Sequence, residues 1–321
     1  MEQMQSNTKV AGIDVGKGRL DGAVHGLEDQ IVVANTATGI SELIAWLKAQ
    51  EVGRVGMEAS GGYERQAMAA LHDAGFEVVL HQPLEVRLFA RLKRLKAKSD
   101  RMDARLIAMA TAQVEAVRAA QDPRLHDLSE RLTAYEQVTN QAGELKTFME
   151  HVTLKDVARA LRAQIASLDR LKQKLIDEIL KRIRAHPDLS RRLQLLRSLP
   201  GVGPVVAASL VVRMPELGAM TRGQAASLLG VAPFDRDSGQ FKGMRFIAGG
   251  RSRPRRLMYL AALAAKRCDD GFKAFATRLL DRGKPPKVVL VAVMRKLIEA
   301  ANLVLARDRP WEKAVPKPGC P

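Results

Sequence analysis

Apolar positions in the first eighty residues come in short runs separated by amphipathic stretches. Lys9 to Val15, Leu20 to Val24 and Ile31 to Ala34 read as three strands, and Ser41 to Ala49 as an amphipathic helix. A fourth strand follows at Arg54 to Met57, a helix from about Tyr63 to Ala74, and a fifth strand at Phe76 to Leu80. Pro83 then opens a basic helical region. The order βββαβαβα, with the first two strands joined by a tight Gly-Lys-Gly turn, predicts a three-layer α/β domain on a mixed sheet.

The pattern changes between roughly Pro123 and Ala185. Val157, Leu161, Ile165, Leu168, Leu171, Leu175, Ile179 and Ile183 recur at three- and four-residue spacing among charged residues, as a coiled coil requires. His186-Pro187 ends that helix. Heptads alone leave two partners open, a second helix of the same chain or a helix of another copy. From near Leu195 a third, mostly helical segment runs to a Pro-rich tail, Val315 to Pro321.

Length and charge narrow the function classes. A chain of 321 residues exceeds one ordinary core, so two or three domains are expected. Lys and Arg number 52 against 35 Asp and Glu, a net charge of +17 that favours a polyanionic partner. The longest apolar run, Val205 to Val212, is too short to span a membrane. Met1 to Thr8 is polar and lacks the apolar stretch of a secretory signal, so the expected location is cytoplasmic. Cys268 and Cys320 are far apart and without nearby histidine pairs, which supports neither a disulfide framework nor a zinc site. The six histidines are scattered singly and receive no role.

Four carboxylates stand out against this background. Asp14 ends an apolar strand just before Gly16, and Glu58 ends another before Gly61-Gly62, so both side chains can emerge into one crevice at the strand ends. Asp100 and Asp103 lie one helical turn apart, about 4.5 Å along the axis, on one face. Taken singly, each acid also reads as a turn or capping residue. Together they form a cluster that needs divalent metal to offset its repulsion, and paired metals about 3.5 to 4 Å apart would fit between them. The βββαβαβα order is the ribonuclease H-like plan, and the quartet resembles its RuvC-like branch. Arg94, Lys96, Lys98 and Arg101 crowd the approach to Asp100 and Asp103, where cations would hold phosphates; a solvated basic helix is the plainer reading.

The C-terminal third adds two motifs. Leu199-Pro-Gly-Val-Gly-Pro looks like the hairpin of a helix-hairpin-helix, in which Gly201 and Gly203 let the backbone approach a phosphate and the next helix aims its N-terminus at it. Ser238-Gly239 then sits among Lys242, Arg245, Arg251, Arg253, Arg255 and Arg256. A serine hydroxyl there can attack phosphorus while guanidinium groups stabilise the developing charge, but the segment lacks a base of its own, and a plain loop serine is the competing reading.

The quartet, the Leu-Pro-Gly-Val-Gly-Pro hairpin and the Ser-Gly...Gly-Gly-Arg...Arg-Arg-Leu-Met-Tyr segment together resemble the DEDD transposases of the insertion-sequence one-ten family, relatives of the pilin-gene invertases, in order and through nearly the whole chain. The resemblance implies a RuvC-like catalytic domain over 8–118, a helical coiled-coil arm over 119–190 and a C-terminal transposase domain over 191–321. It implies that Asp14, Glu58, Asp100 and Asp103 bind Mg2+ or Mn2+, and that Ser238 is a nucleophile that links covalently to DNA. It further implies a tetramer built as a dimer of dimers, guided by a structured noncoding RNA. Three rivals remain open: a Holliday-junction-resolving endonuclease using water, a non-catalytic nucleic-acid-binding protein, and an actin-like ATPase or sugar kinase suggested by Gly-Ile-Asp-Val-Gly but lacking a second phosphate loop.

Overall fold

The computed structural model describes residues 9–94, 100–115, 122–234 and 246–312, with the side chains of 100–102 outside that set. The chain divides into two compact units between Gln121 and Asp122.

The N-terminal unit follows the expected order. Strands β1 (Lys9–Val15), β2 (Arg19–Val24) and β3 (Gln30–Ala34) lead into α1 (Ala37–Ala49), then β4 (Val52–Glu58), α2 (Arg65–Asp73), β5 (Glu77–His81), α3 (Pro83–Leu92) and α4 (Asp100–Thr111). The five strands lie in the order β3-β2-β1-β4-β5, with β2 antiparallel to both neighbours and β1, β4 and β5 parallel. The Gly16 amide donates to the Arg19 carbonyl at 2.9 Å and closes the β1–β2 turn. Thr36 starts α1 by accepting from the Gly39 amide.

Alternation along the strands gives the sheet two different faces. Ala11, Ile13 and Val15 of β1 point with Leu20, Val55 and Met57 into one core, which α1 closes with Ile40, Leu43 and Leu47 and α2 with Ala67 and Leu71. Full burial of each larger aliphatic side chain is worth about 1.5–3 kcal/mol. The other face carries Gly12 and Gly56 and receives α4, whose outer side packs Leu106 and Ile107 against Val86 of α3.

The C-terminal unit is mostly helical: α5 (Pro123–Met149), α6 (Lys155–Arg184), α7 (Pro187–Arg197), α8 (Pro204–Arg213) and α9 (Arg222–Leu229), then β6 (Pro233–Phe234) and β7 (Phe246–Ile247), then α10 (Ser252–Cys268), α11 (Asp270–Asp281) and α12 (Pro286–Arg307). Helices α5 and α6 pair antiparallel within the chain, tied by Arg182–Asp127 at one end and Lys146–Asp169 at the other. At the base of this pair Leu125, Leu128 and Leu132 meet Ile176, Ile179 and Ile183 in the same core as α7–α12. Phe148 and Leu154, near the far end, are exposed. The short antiparallel β6–β7 ribbon departs from the mostly helical reading of this segment. Two-residue strands carry no alternation to read, and their pairing depends on residues distant in sequence.

Candidate functional site

Register places the first two acids. The parallel β1–β4 ladder pairs Gly12 with Gly56 and Ile13 with Met57, so Asp14 and Glu58, one residue further on, stand side by side at the strand ends. Neighbouring strands lie about 4.8 Å apart. Two residues beyond Gly12 and Gly56, both acids share the face that α4 covers. Each is half-buried and already engaged in a polar or electrostatic contact, as is Asp103.

The glycines set how closely α4 can lie. A methyl group at Gly12 would come within 2.9 Å of the Ala108 Cα and closer still to the Ala104 carbonyl oxygen and the Ala108 amide, while one at Gly56 would overlap Thr111. Ala104, Ala108 and Thr111 therefore define the sheet-facing stripe of α4. Helix α4 begins at Asp100, and half-buried Asp103 lies on that same first turn, ahead of the stripe towards the helix N-terminus. Among the described residues no group of three or more His, Cys, Asp or Glu closes into a metal cage, and the Asp100 side chain falls outside them.

One buried polar bridge pins α4 to the sheet. His81 pairs in register with Glu58. Its Nε2 lies 2.8 Å from Thr111 Oγ1, and that hydroxyl donates to the Ile107 carbonyl at 2.7 Å. With its only proton given to Ile107, the hydroxyl accepts from His81, which assigns the Nε2–H tautomer. Burial holds the His81 pKa below its usual value, opposed by the Glu85 carboxylate 3.9 Å from Nδ1.

Several residues around the site went unnoticed in the sequence. Asp21 lies directly across β1–β2 from Asp14 on the same face, 6% exposed, with Arg19 Nε 2.9 Å away. Counting back across the four-residue turn from Val15–Leu20 would have found it. Asn35 joins two rim loops by donating to the carbonyls of Gly16 at 3.0 Å and Tyr63 at 3.1 Å. Buried Glu64 accepts from the Ser60 amide, the Ser60 hydroxyl and the Gly62 amide at 2.8–3.1 Å, which holds open the loop where Gly61 and Gly62 adopt φ of 77° and 119°. Burial alone would raise the Glu64 pKa; its backbone and Ser60 hydrogen bonds outweigh that and hold it below the ordinary carboxylate value.

In the C-terminal unit the turn between α7 and α8 contains both hairpin glycines. Gly201, at φ 74°, is packed on α10, where a methyl group would meet backbone of Ala261 and Ala265. Gly203 caps α8 with open space beside it, and because Pro204 has no N–H, the donors of that first turn are the amides of Val205 and Val206, which have no backbone acceptor among the described residues.

The cations behave differently from one another. Arg251 binds both carboxylate oxygens of Glu216 at 2.6 and 2.7 Å and the Arg213 carbonyl. Arg253 binds Thr133 and Glu136 of α5, and Glu136 also pairs with Arg213. Arg255 clamps the carbonyls of Gly230 and Gly249 at 3.1 and 2.7 Å. Arg256 is exposed and has no partner among the described residues, and Arg94 is exposed at φ 55°. Ser238, Lys242, Arg245, Lys96 and Lys98, together with the Arg101 side chain, lie outside the described residues.

Two family profiles match the chain. Residues 11–152 match the family profile of DEDD transposases of the IS110 type, described as "Transposase", and residues 193–277 match the one described as "Transposase IS116/IS110/IS902 family". Both profiles describe transposases of the IS110 type. The chain belongs to the IS110 family of transposases, which makes it a DNA recombinase with DNA as its partner. It is 24% identical over 328 residues to the pilin gene-inverting protein of Moraxella bovis, covering 95% of this chain and 98% of that one; the Moraxella lacunata protein of the same name matches equally. It is 29% identical over 166 residues to the insertion element IS110 uncharacterized 43.6 kDa protein of Streptomyces coelicolor (strain ATCC BAA-471 / A3(2) / M145), covering 51% of this chain and 40% of the relative. No described helix is long and apolar enough to cross a membrane.

Proposed function

We propose that this protein excises and inserts its own mobile element, using Asp14, Glu58, Asp100 and Asp103 as one metal-binding quartet and Ser238 as the nucleophile. The observation that carries this reading is the β1–β4 register, which sets Asp14 beside Glu58 on the face covered by the helix bearing Asp100 and Asp103. An all-oxygen, all-carboxylate donor set suits Mg2+ or Mn2+. When bound, such an ion would polarise the scissile phosphate and neutralise charge on its oxygens.

The remaining chemistry falls to the chain's own groups. Ser238 Oγ attacks phosphorus and loses its proton to an acceptor at the quartet; the bond from phosphorus to the leaving sugar oxygen breaks, and that oxygen takes up a proton. The resulting phosphoserine ester keeps the bond energy until a sugar hydroxyl attacks it and restores the DNA. Arg256, Lys242 and Arg245 hold phosphates at the serine, Gly203 and the first turn of α8 supply amides to another, and Arg94, Lys96, Lys98 and Arg101 hold DNA near the quartet. Arg251, Arg253 and Arg255 are committed to carboxylates, a hydroxyl and carbonyls of the chain itself and leave the phosphates to the other cations. The working unit is a tetramer, a dimer of dimers, directed to its target by a structured noncoding RNA; sequencing RNA that co-purifies with the protein tests the guide.

Incubation with DNA spanning the element's ends, with any co-purifying RNA and Mg2+, should give a covalent protein–DNA adduct that Ser238→Ala abolishes while nucleic-acid binding remains. Cleavage without an adduct would identify a water-using resolvase instead. Unchanged recombination by Asp103→Asn would refute the quartet.

A further inference from the structure

The loop from β4 to α2 pins the backbone of an aromatic residue and leaves its side chain in the open. Tyr63, one of three tyrosines in a chain with 4% aromatic residues, lies on this loop, past Glu58 at the end of β4. It is 48% exposed, and its side chain has no hydrogen-bond or ring partner among the described residues. Its place just before the N-cap Glu64 would suit an apolar staple onto Met68 in the first turn of α2. Met68 packs on the core of the unit and Tyr63 stays outside it, so internal packing does not account for the ring.

Polar contacts hold the loop in place. Glu64 accepts from Ser60 and Gly62 on its own side, and Asn35 Nδ2 donates to the Tyr63 carbonyl at 3.1 Å and to the Gly16 carbonyl at 3.0 Å. Gly16 belongs to the β1–β2 turn just past Asp14, and the next residue, Lys17, is exposed with no partner among the described residues. One asparagine thus ties the loop that carries an open aromatic ring to the turn that carries an open cation. Because β1 and β4 are parallel, the turn and the loop both leave from the carboxyl ends that bear Asp14 and Glu58, the end of an α/β sheet where ligands bind. A π-face and a cation held together, on a chain of charge +17, match a nucleotide, which offers a base and a phosphate at once. Fixing both backbones in advance lowers the ordering cost of binding.

We propose that Tyr63 and Lys17 hold one nucleotide of the DNA strand at the rim of the strand ends, its base stacked on the phenol ring and its phosphate paired with the ammonium group. The hold keeps the strand unstacked at that step, tolerates any base there, and sets the neighbouring phosphate against Asp14 and Glu58. That last placement rests on the metal-site reading given above, whereas the nucleotide contact rests on Tyr63, Asn35 and Lys17 alone.

The test titrates the full-length protein with a single-stranded oligodeoxynucleotide and irradiates the same strand carrying 5-iodouracil, which links a base to an aromatic ring stacked on it. Peptide mapping of the wild-type protein should find the principal link on Tyr63, a result that needs no variant to fold. Tyr63→Leu keeps an apolar side chain before α2; it should abolish the link and weaken binding about 5- to 150-fold, the loss of one base–aromatic stack, with the salt dependence unchanged. Tyr63→Phe should keep both. Lys17→Gln should keep the link and lower the slope of log affinity against log salt by about 0.7, the value for one phosphate on a single strand. A principal link on another residue, or wild-type affinity in Tyr63→Leu, overturns the stacking, and an unchanged slope in Lys17→Gln overturns the phosphate contact. Preferential linking of an RNA strand of the same sequence overturns the assignment to DNA. The metal site is judged separately: recombination that survives Asp14→Asn refutes the quartet and leaves the link on Tyr63 standing.

Discussion

Gly12→Ala is the sharpest test of how the acidic site is assembled. The added methyl would stand 2.9 Å from the Ala108 Cα and nearer to the Ala104 carbonyl oxygen and the Ala108 amide, all backbone atoms that no rotamer change can move. Carbon atoms rest about 3.5–4.0 Å apart, so α4 must lift by about 1 Å or the sheet must bend by as much. Overpacking of this kind costs about 1–3 kcal/mol. In the proposed quartet the lift would also draw the acids of α4 away from Asp14 and Glu58, and a misplacement of about 1 Å at a reacting centre can lower the rate about 100-fold. The chain has two tryptophans, Trp46 in the N-terminal unit and Trp311 in the C-terminal one, so urea unfolding followed by Trp46 fluorescence in a Trp311→Phe background reports on the affected unit alone. Adduct yield against Mg2+ concentration reports on the site. Gly12→Ala should lower stability and shift the Mg2+ dependence to higher concentration, while Gly18→Ala, with nothing within 4 Å of its added methyl, should change neither. Wild-type stability and Mg2+ dependence in Gly12→Ala would refute the packing argument.

Further predictions follow from the polar contacts. Thr111→Val leaves the buried His81 Nε2–H without an acceptor and should cost about 1–3 kcal/mol in the same unfolding experiment, most of it recovered by Thr111→Ser. Glu64 has a folded-state pKa below the 4.5 of an unperturbed side chain, so its contribution is complete above pH 4.5 and is lost as pH falls through the folded value; Glu64→Gln should flatten that acid limb of stability against pH. Glu136→Ala leaves Arg213, almost fully buried, without its carboxylate and releases Arg253, so the C-terminal unit should lose about 3–5 kcal/mol, read from Trp311 fluorescence in a Trp46→Phe background.

The sequence exposed those features whose cause is local. Strands β1 to β5 and helix α6 follow from periodicity, and Asp14 and Glu58 stand out because an acid ends an apolar run just before glycine. Asp21, His81, Thr111 and Asn35 were hidden because their importance comes from cross-strand register or from contacts with residues far along the chain, 30 positions apart for His81 and Thr111, while Glu64 acts on Ser60 and Gly62 in a loop that has no periodicity to read. Charge counting found the C-terminal arginines but not their partners: Arg251, Arg253 and Arg255 are bound internally, and only packing distinguishes them from Arg256. Gly201 likewise attracts notice for its motif, while its neighbours show close packing on α10.

The central claim is that carboxylates from β1, β4 and α4 share one metal-binding site. Crystals of the full chain soaked in Mn2+ and measured at the manganese absorption edge test it most directly. The account predicts anomalous peaks within coordination distance of Asp14, Glu58, Asp100 and Asp103 together; a well-ordered quartet with manganese bound elsewhere, or with Asp100 and Asp103 turned away from the strand ends, would contradict it.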